Sequence, residues 1–226
     1  MAWKNDQVTE LETVKILELA QLALAVPGDF VEMGCYKGDT SLLLAEVVYR
    51  GARLCPEVRC SVAAPKSASS SATPLSSSSI HTKTTSKRLW IYDSFEGLPE
   101  KGREDESGLG EEFRGGELYV TKREVKERFL RAGFPVPVIK KGWFAELTEG
   151  DMPEQIAFAF LDGDFYESIR DSLRLLEGKM ALGGVIMVHD YNNPALPGVA
   201  RAVDEWLKGR AVRVEIYQSM AITREN

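Results

Sequence analysis

Two short segments carry the residues best suited to chemistry: FLDGDFYES, with Asp162 and Asp164, and VIMVHDYNN, with His189 and Asp190. Each follows a run of apolar residues that reads as a strand buried on both faces. In open α/β sheets, ligands bind outside the carboxyl ends of such strands. Neighbouring strands would bring Asp162, Asp164, His189 and Asp190 to one rim, where four polar groups are costly unless a ligand uses them. Carboxylate oxygens suit a hard divalent cation, so Mg2+ (or another divalent ion) is expected, with Asp162, Asp190 and His189 as ligands. Such an ion would lower the pKa of a substrate hydroxyl and hold it for in-line attack. Asp162 and His189 are the expected catalytic residues, and Asp162 or Asp164 is placed to accept the hydroxyl proton. His189 is open to three roles: ligand, base or hydrogen-bonded structural group. Asp164 competes for a second role as cap of the following helix, and Glu167 for one on that helix's surface.

A second group of residues fits a nucleoside. In VEMGCYKGDT, Gly34 and Gly38 would let the backbone approach a ligand, and the helix that follows adds donors. The segment is neither GxGxxG nor a P-loop. Asp93 ends the segment LWIYD and could accept both hydroxyls of a ribose, although a turn-forming Asp reads the same way. Glu32 inside the first strand, with no pyrophosphate-type glycine pattern, points to a nucleoside with a cationic amino-acid tail. S-adenosylmethionine has that form. Gly142, Trp143 and Phe144 would supply a flat apolar wall for adenine; core aromatics at a helix start are the competing reading.

The elements that must position these groups follow from periodicity. A helix is expected from Thr9 to Leu24, broken by Pro27-Gly28, then a strand Phe30 to Met33 and a helix Thr40 to about Val48. Residues from about 55 to 87 are rich in Ser, Thr, Ala and Pro and cannot bury enough surface to offset their ordering entropy. They read as a disordered insertion on the helix-to-strand side of the sheet, away from the active rim. Further strands are expected at Leu89 to Asp93, Val136 to Lys140, Ile156 to Leu161 and Val185 to Val188, the last entered by a Gly183-Gly184 turn. Arg213 to Ser219 and Ala221 to Thr223 would close the sheet. Helices are expected at Lys122 to Ala132, Tyr166 to Leu176 and Val199 to Lys208, and the charged, Gly-rich stretch Glu96 to Gly116 reads as a mobile flap that closes over substrate. Strands alternating with helices imply one Rossmann-like α/β domain over residues 1–226, mostly parallel, with helices on both faces.

Composition narrows the partners. A chain of 226 residues with net charge −6 and pI about 5.2 offers no basic footprint for nucleic acid or an anionic membrane. No apolar run reaches the roughly 20 residues of a membrane span, and the polar N-terminus lacks a signal-peptide core. Cys35, Cys55 and Cys60 form neither a metal set nor an even disulfide framework. A cytoplasmic protein is expected, with the leucines of the first helix available for a homodimer contact.

The segments GDFVEMGCYKGDTS, WIYDSFEGLPE, KKGWFAELTE, FLDGDFYESIRDSL and GGVIMVHDYNNPALPGVARAVDEW, in that order, resemble the macrocin O-methyltransferase family. The resemblance implies a class I methyltransferase fold, S-adenosylmethionine as donor and Mg2+-dependent transfer to a hydroxyl of a small molecule, such as a sugar. By position it implies that Glu32, Gly34, Tyr36, Gly38 and Thr40 surround the methionine part, Asp93 holds the ribose, and Gly142, Trp143 and Phe144 border the adenine. It implies Asp162 as metal ligand and base, with Asp190 a second ligand. Antibiotic-tailoring members place two acids in succession where this chain has His189-Asp190. The change leaves room for a weaker site, a softer ion or none, and for Asn192 as a neutral oxygen ligand. A nucleotide-dependent oxidoreductase and a non-catalytic S-adenosylmethionine-binding protein are the alternatives.

Overall fold

Strands without polar alternation must be covered on both faces, and the helices between them are amphipathic enough to do it. The computed structural model describes residues 7–51, 87–109 and 113–225. Its helices are α1 (Glu10–Ala23), α2 (Asp39–Arg50), α3 (Lys122–Ala132), α4 (Tyr166–Leu176) and α5 (Pro197–Leu207). Its strands are β1 (Asp29–Met33), β2 (Leu89–Asp93), β3 (Val138–Lys141), β4 (Ile156–Leu161), β5 (Met180–Val188), β6 (Val214–Tyr217) and β7 (Met220–Arg224). They form one sheet in the order β3-β2-β1-β4-β5-β7-β6. The strands β1 to β5 pair in parallel, and β7 runs antiparallel to both β5 and β6.

Two cores flank the sheet. On one side α1, α2 and α3 cover Phe30, Phe158 and Phe160, with the Phe30 and Phe158 ring centroids 5.3 Å apart. On the other, α4 and α5 cover Val31, Met33, Ala159, Leu161 and Val188. Every residue of β4, IAFAFL, is buried, because this central strand faces both cores. Each large side chain so placed contributes roughly 1.5–3 kcal/mol of burial. Helix starts are also encoded locally. Thr9 and Thr121 open α1 and α3 with capping boxes completed by Glu12 and Glu124.

Three differences from the periodicity reading have physical reasons. The third strand begins at Val138 rather than Val136, since Pro137 has no N–H to give a neighbour. Gly183-Gly184 is not a turn before β5 but an irregularity inside it, where the pairing with β4 shifts register and Gly183 adopts φ +80°. Lys87, grouped with the Ser-rich insertion, is instead tethered, its ammonium donating to the carbonyls of Val26 and, at 2.7 Å, Gly28. The rest of that insertion, with Cys55 and Cys60, lies outside the described residues. On α1, Leu11 and Leu22 are exposed whereas Ile16 and Leu19 are in the core. Among the described residues no helix is long and apolar enough to cross a membrane.

Candidate active site

The strand order reverses between β1 and β4, and this switch point is where a parallel sheet opens a crevice at its carboxyl edge. A cleft lies there. Of the residues singled out from sequence, Glu32, Gly34, Tyr36, Thr40, Asp93, Gly142, Trp143, Phe144, Asp162, Asp164, His189 and Asp190 all line it. Gly38 does not. It sits at φ +81° as the residue before α2, so its part is to reverse the chain.

The half of the cleft built on β1 and β2 is held together by backbone. Gly34 adopts φ +87°, and a Cβ there would stand 1.9 Å from the carbonyl oxygen of Asp162. The Asp93 carboxylate is fixed by three amides. Oδ2 accepts from Cys35 N–H (2.9 Å) and Tyr36 N–H (3.3 Å), and Oδ1 from Phe95 N–H (2.7 Å). Glu32 is buried, and the Ser41 hydroxyl donates to its Oε2. Its Oε1 has no hydrogen-bond partner among the described residues. Burial, reinforced by the charges of Asp162, Asp93 and Asp39, pushes this carboxyl well above the usual range despite the Ser41 bond. An unpartnered buried carboxylate oxygen on a cleft wall is a site that a cationic ligand group would satisfy. Trp143 and Phe144, both half-buried, follow β3 and give the opposite wall.

The half built on β4 and β5 is acidic. His189 Nδ1 lies 3.0 Å from Asp162 Oδ1 and 3.1 Å from Asp190 Oδ2. One potential ligand atom from each of the three residues falls within a 4.8 Å group. Adjacent ligands of an octahedral ion bound at about 2.1 Å stand about 3.0 Å apart, so the donor set and its spacing fit a divalent cation. Asn193 donates to Asp190 Oδ1 at 2.9 Å, leaving Oδ2 turned toward His189. Burial alone would lower the His189 pKa; the charge of Asp162 and the carboxylates of Asp162, Asp190 and Glu12 around the ring outweigh it and raise it well above the usual value. Asp164 occupies left-handed backbone at φ 60°. Burial and the charges of Asp162 and Asp190 raise its carboxyl well above the usual range.

Several sequence expectations need correction here. Asp164 does not cap α4. The Tyr166 N–H is met instead by Asp105 Oδ1 at 2.7 Å, from the stretch read as a mobile flap. That stretch is fastened. Leu98 pairs with Gly116 and Glu117 through bonds of 2.8 Å, and Asp105 is 1% exposed. Asn192 is exposed and donates to the Gln218 carbonyl, so Asn193, one residue on, is the asparagine that reaches the cluster. Glu167 pairs with Arg170 on the surface of α4, as expected. Sequence reasoning missed Glu12, which brings Oε2 to 3.6 Å from His189 Nε2. The Thr9-x-x-Glu12 capping signature marked that residue's local role, but nothing in the sequence linked it to β5.

The sequence profile of the macrocin-O-methyltransferase (TylF) family matches residues 75–221. An enzyme of Streptomyces olivaceus, 8-demethyl-8-(2,3-dimethoxy-alpha-L-rhamnosyl)-tetracenomycin-C 4'-O-methyltransferase, is 30% identical over 176 residues, covering 75% of this chain and 55% of its own. Demethyldecarbamoylnovobiocin O-methyltransferase of Streptomyces niveus is 27% identical over 186 residues, covering 80% and 58%. The chain thus spans a little over half the length of the relatives it matches. In three dimensions it is similar to the O-methyltransferase NovP, with a TM-score of 0.67 at 23% identity over 94% of this chain and 80% of that one. Calicheamicin methyltransferase CalS11 gives 0.64 at 18% identity over 94% and 77%. The fold is that of class I methyltransferases, and with the profile running across β2 to β5 and the acidic ends of β2, β4 and β5, the chain belongs to the macrocin O-methyltransferase family.

Proposed function

We propose that this protein transfers a methyl group from S-adenosylmethionine to a hydroxyl of a small molecule, with sugars of natural products as the leading acceptor class, and that a divalent cation held by Asp162, His189 and Asp190 assists. The observation that carries this reading is the meeting of a nucleoside-type half and an acidic half in one cleft, joined where Gly34 abuts Asp162. The relatives from Streptomyces are named as O-methyltransferases, the first of them of a rhamnosyl-tetracenomycin.

Asp93, oriented by three amides, keeps a lone pair on Oδ1 for a ribose hydroxyl. Glu32 Oε1 offers its unpartnered oxygen to the ammonium of the methionine part. Trp143 and Phe144 flank the adenine. The donor supplies a methyl group on a positively charged sulfur; transfer forms the O–CH3 bond, breaks S–CH3 and requires the hydroxyl to lose its proton. A bound cation would supply Lewis acidity toward that hydroxyl. Asp164 is the proposed proton acceptor. Its side chain makes no hydrogen bond to other described residues, and its raised pKa reflects burial first and then the negative neighbours Asp162 and Asp190, whose charge a cation would offset. The flap residues Leu98, Pro99 and Phe113 border the cleft and would exclude water. The oxidoreductase alternative loses its ground, because family membership and donor set both favour methyl transfer.

Turnover tests this directly. Purified protein with S-adenosylmethionine, Mg2+ or Mn2+, and a panel of glycosides and phenols should release S-adenosylhomocysteine, and Asp164→Asn should slow release at least about a hundredfold while sparing donor binding. Wild-type turnover in Asp162→Asn would show that the metal assignment is wrong, and wild-type turnover in Asp164→Asn that the base assignment is.

A further inference from the structure

We propose that Glu12 is the outer-sphere partner of this metal centre: it fixes His189 with the ring proton on Nε2, turns Nδ1 toward Asp162 and Asp190 as a nitrogen donor, and thereby makes the site one for a first-row transition dication in preference to Mg2+. The proposal rests on the metal reading above and extends it to the first helix.

Glu12 is more than a cap. Glu124 makes the same box with Thr121 on α3, with bonds of 2.8 and 2.6 Å, and lies exposed. Glu12 instead is 2% exposed. Its Oε2 accepts from Thr9 N–H (3.0 Å) and the Thr9 hydroxyl (2.7 Å), while Oε1 accepts from Ser219 N–H (3.2 Å) and the Ser219 hydroxyl. A carboxyl that accepts at both oxygens from these four donors has no need of its own proton, and it is held rigidly.

That fixed acceptor faces one nitrogen of His189. Nε2 lies 3.6 Å from Glu12 Oε2, slightly too long for a hydrogen bond, and has no other partner among the described residues. In the metal-free site Nδ1 is the nitrogen at hydrogen-bonding distance from Asp162; an ion bound there would displace its proton and leave the remaining ring proton on Nε2, facing Glu12. Nδ1 then presents its lone pair beside Asp162 Oδ1 and Asp190 Oδ2, at 3.0 and 3.1 Å. Histidines that ligate metals commonly give their other N–H to a carboxylate, which sets the tautomer and raises the basicity of the donor nitrogen. Replacing an all-oxygen set by two carboxylates and an imidazole moves the preference from Mg2+ toward Mn2+, Co2+ and their neighbours.

The test is metal titration of the full chain after chelator treatment, by calorimetry with Co2+ and Mg2+ and by pulsed electron paramagnetic resonance with Mn2+. Wild type should bind Co2+ at least about tenfold more tightly than Mg2+ and show 14N coupling from a directly bound imidazole. Glu12→Gln should lower Co2+ affinity by about 10- to 100-fold. His189→Asp should abolish the 14N signal and narrow the Co2+/Mg2+ ratio. Ser219→Ala, which loosens the anchor of α1 without facing His189, serves as the structural control and should retain the wild-type ratio. Absence of any cation binding in the wild type would overturn the metal site itself. Binding without 14N coupling, unchanged affinity in Glu12→Gln, or an equal loss in Ser219→Ala would overturn the role of Glu12 alone.

Discussion

The carbonyl oxygen of Asp162 occupies the space that any side chain on Gly34 would need, 1.9 Å from the ideal Cβ position. One glycine thus lets the first turn of the sheet touch the strand end that carries the acid. Gly34→Ala must bear left-handed strain at φ +87°, of order 1–3 kcal/mol, and must also separate β1 from β4. We expect a loss of at least about 2 kcal/mol in urea unfolding, together with loss of S-adenosylmethionine binding. Wild-type stability in this variant would contradict the close approach.

Asp105 ties the flap to the helix behind the acidic cluster. Its Oδ1 meets the Tyr166 N–H, and a Cβ on Gly198 would fall 1.9 Å from the same oxygen, so it sits packed between the starts of α4 and α5. Asp105→Ala should cost about 0.5–2 kcal/mol, as loss of a helix cap does. It should also raise the KM for the acceptor more than that for the donor, because Leu98 and Phe113 of the same stretch border the cleft. Initial-rate measurements in both substrates check this; equal changes in the two KM values would argue against it.

The sign of the pH dependence can be worked out for the metal-free protein. Burial would raise the Glu12 pKa, but the neighbouring His189 ring and hydrogen bonds from Ser219 and Thr9 hold it far below the usual range. Its contribution is therefore present above the unfolded Glu value of about 4.3 and is lost as pH falls below it. His189 is shifted upward, so its contribution is complete below about 6.5 and is lost as pH rises toward its folded value. Chelator-treated protein should be most stable between about pH 4.5 and 6.5 as far as this pair is concerned. Urea midpoints across pH check it, and His189→Asn should remove the decline on the alkaline side.

Much of the site was legible because its residues stand at strand ends. Asp93, Asp162 and Asp190 each follow an apolar run, and a parallel sheet sends all such ends to one edge. What sequence reading missed depends on contacts distant in the chain. Glu12 meets Ser219 across 207 residues, and Asp105 caps α4 across 61. Neither spacing has a local signature. The exchange of Asn192 for Asn193 has another cause: Asp190 turns the chain at φ 59°, so a one-residue step in that turn moves a side chain from the surface into the cluster. Gly183-Gly184 misled because paired glycines serve strand irregularities as well as turns.

The most direct measurement is calorimetric titration of the purified protein with S-adenosylmethionine, beside Asp93→Ala. The geometry predicts micromolar binding to wild type and a loss of about ten- to a hundredfold in the variant, the scale of hydrogen bonds to a charged group. No binding to wild type, or equal binding to both proteins, would contradict the placement of the methyl donor in this cleft.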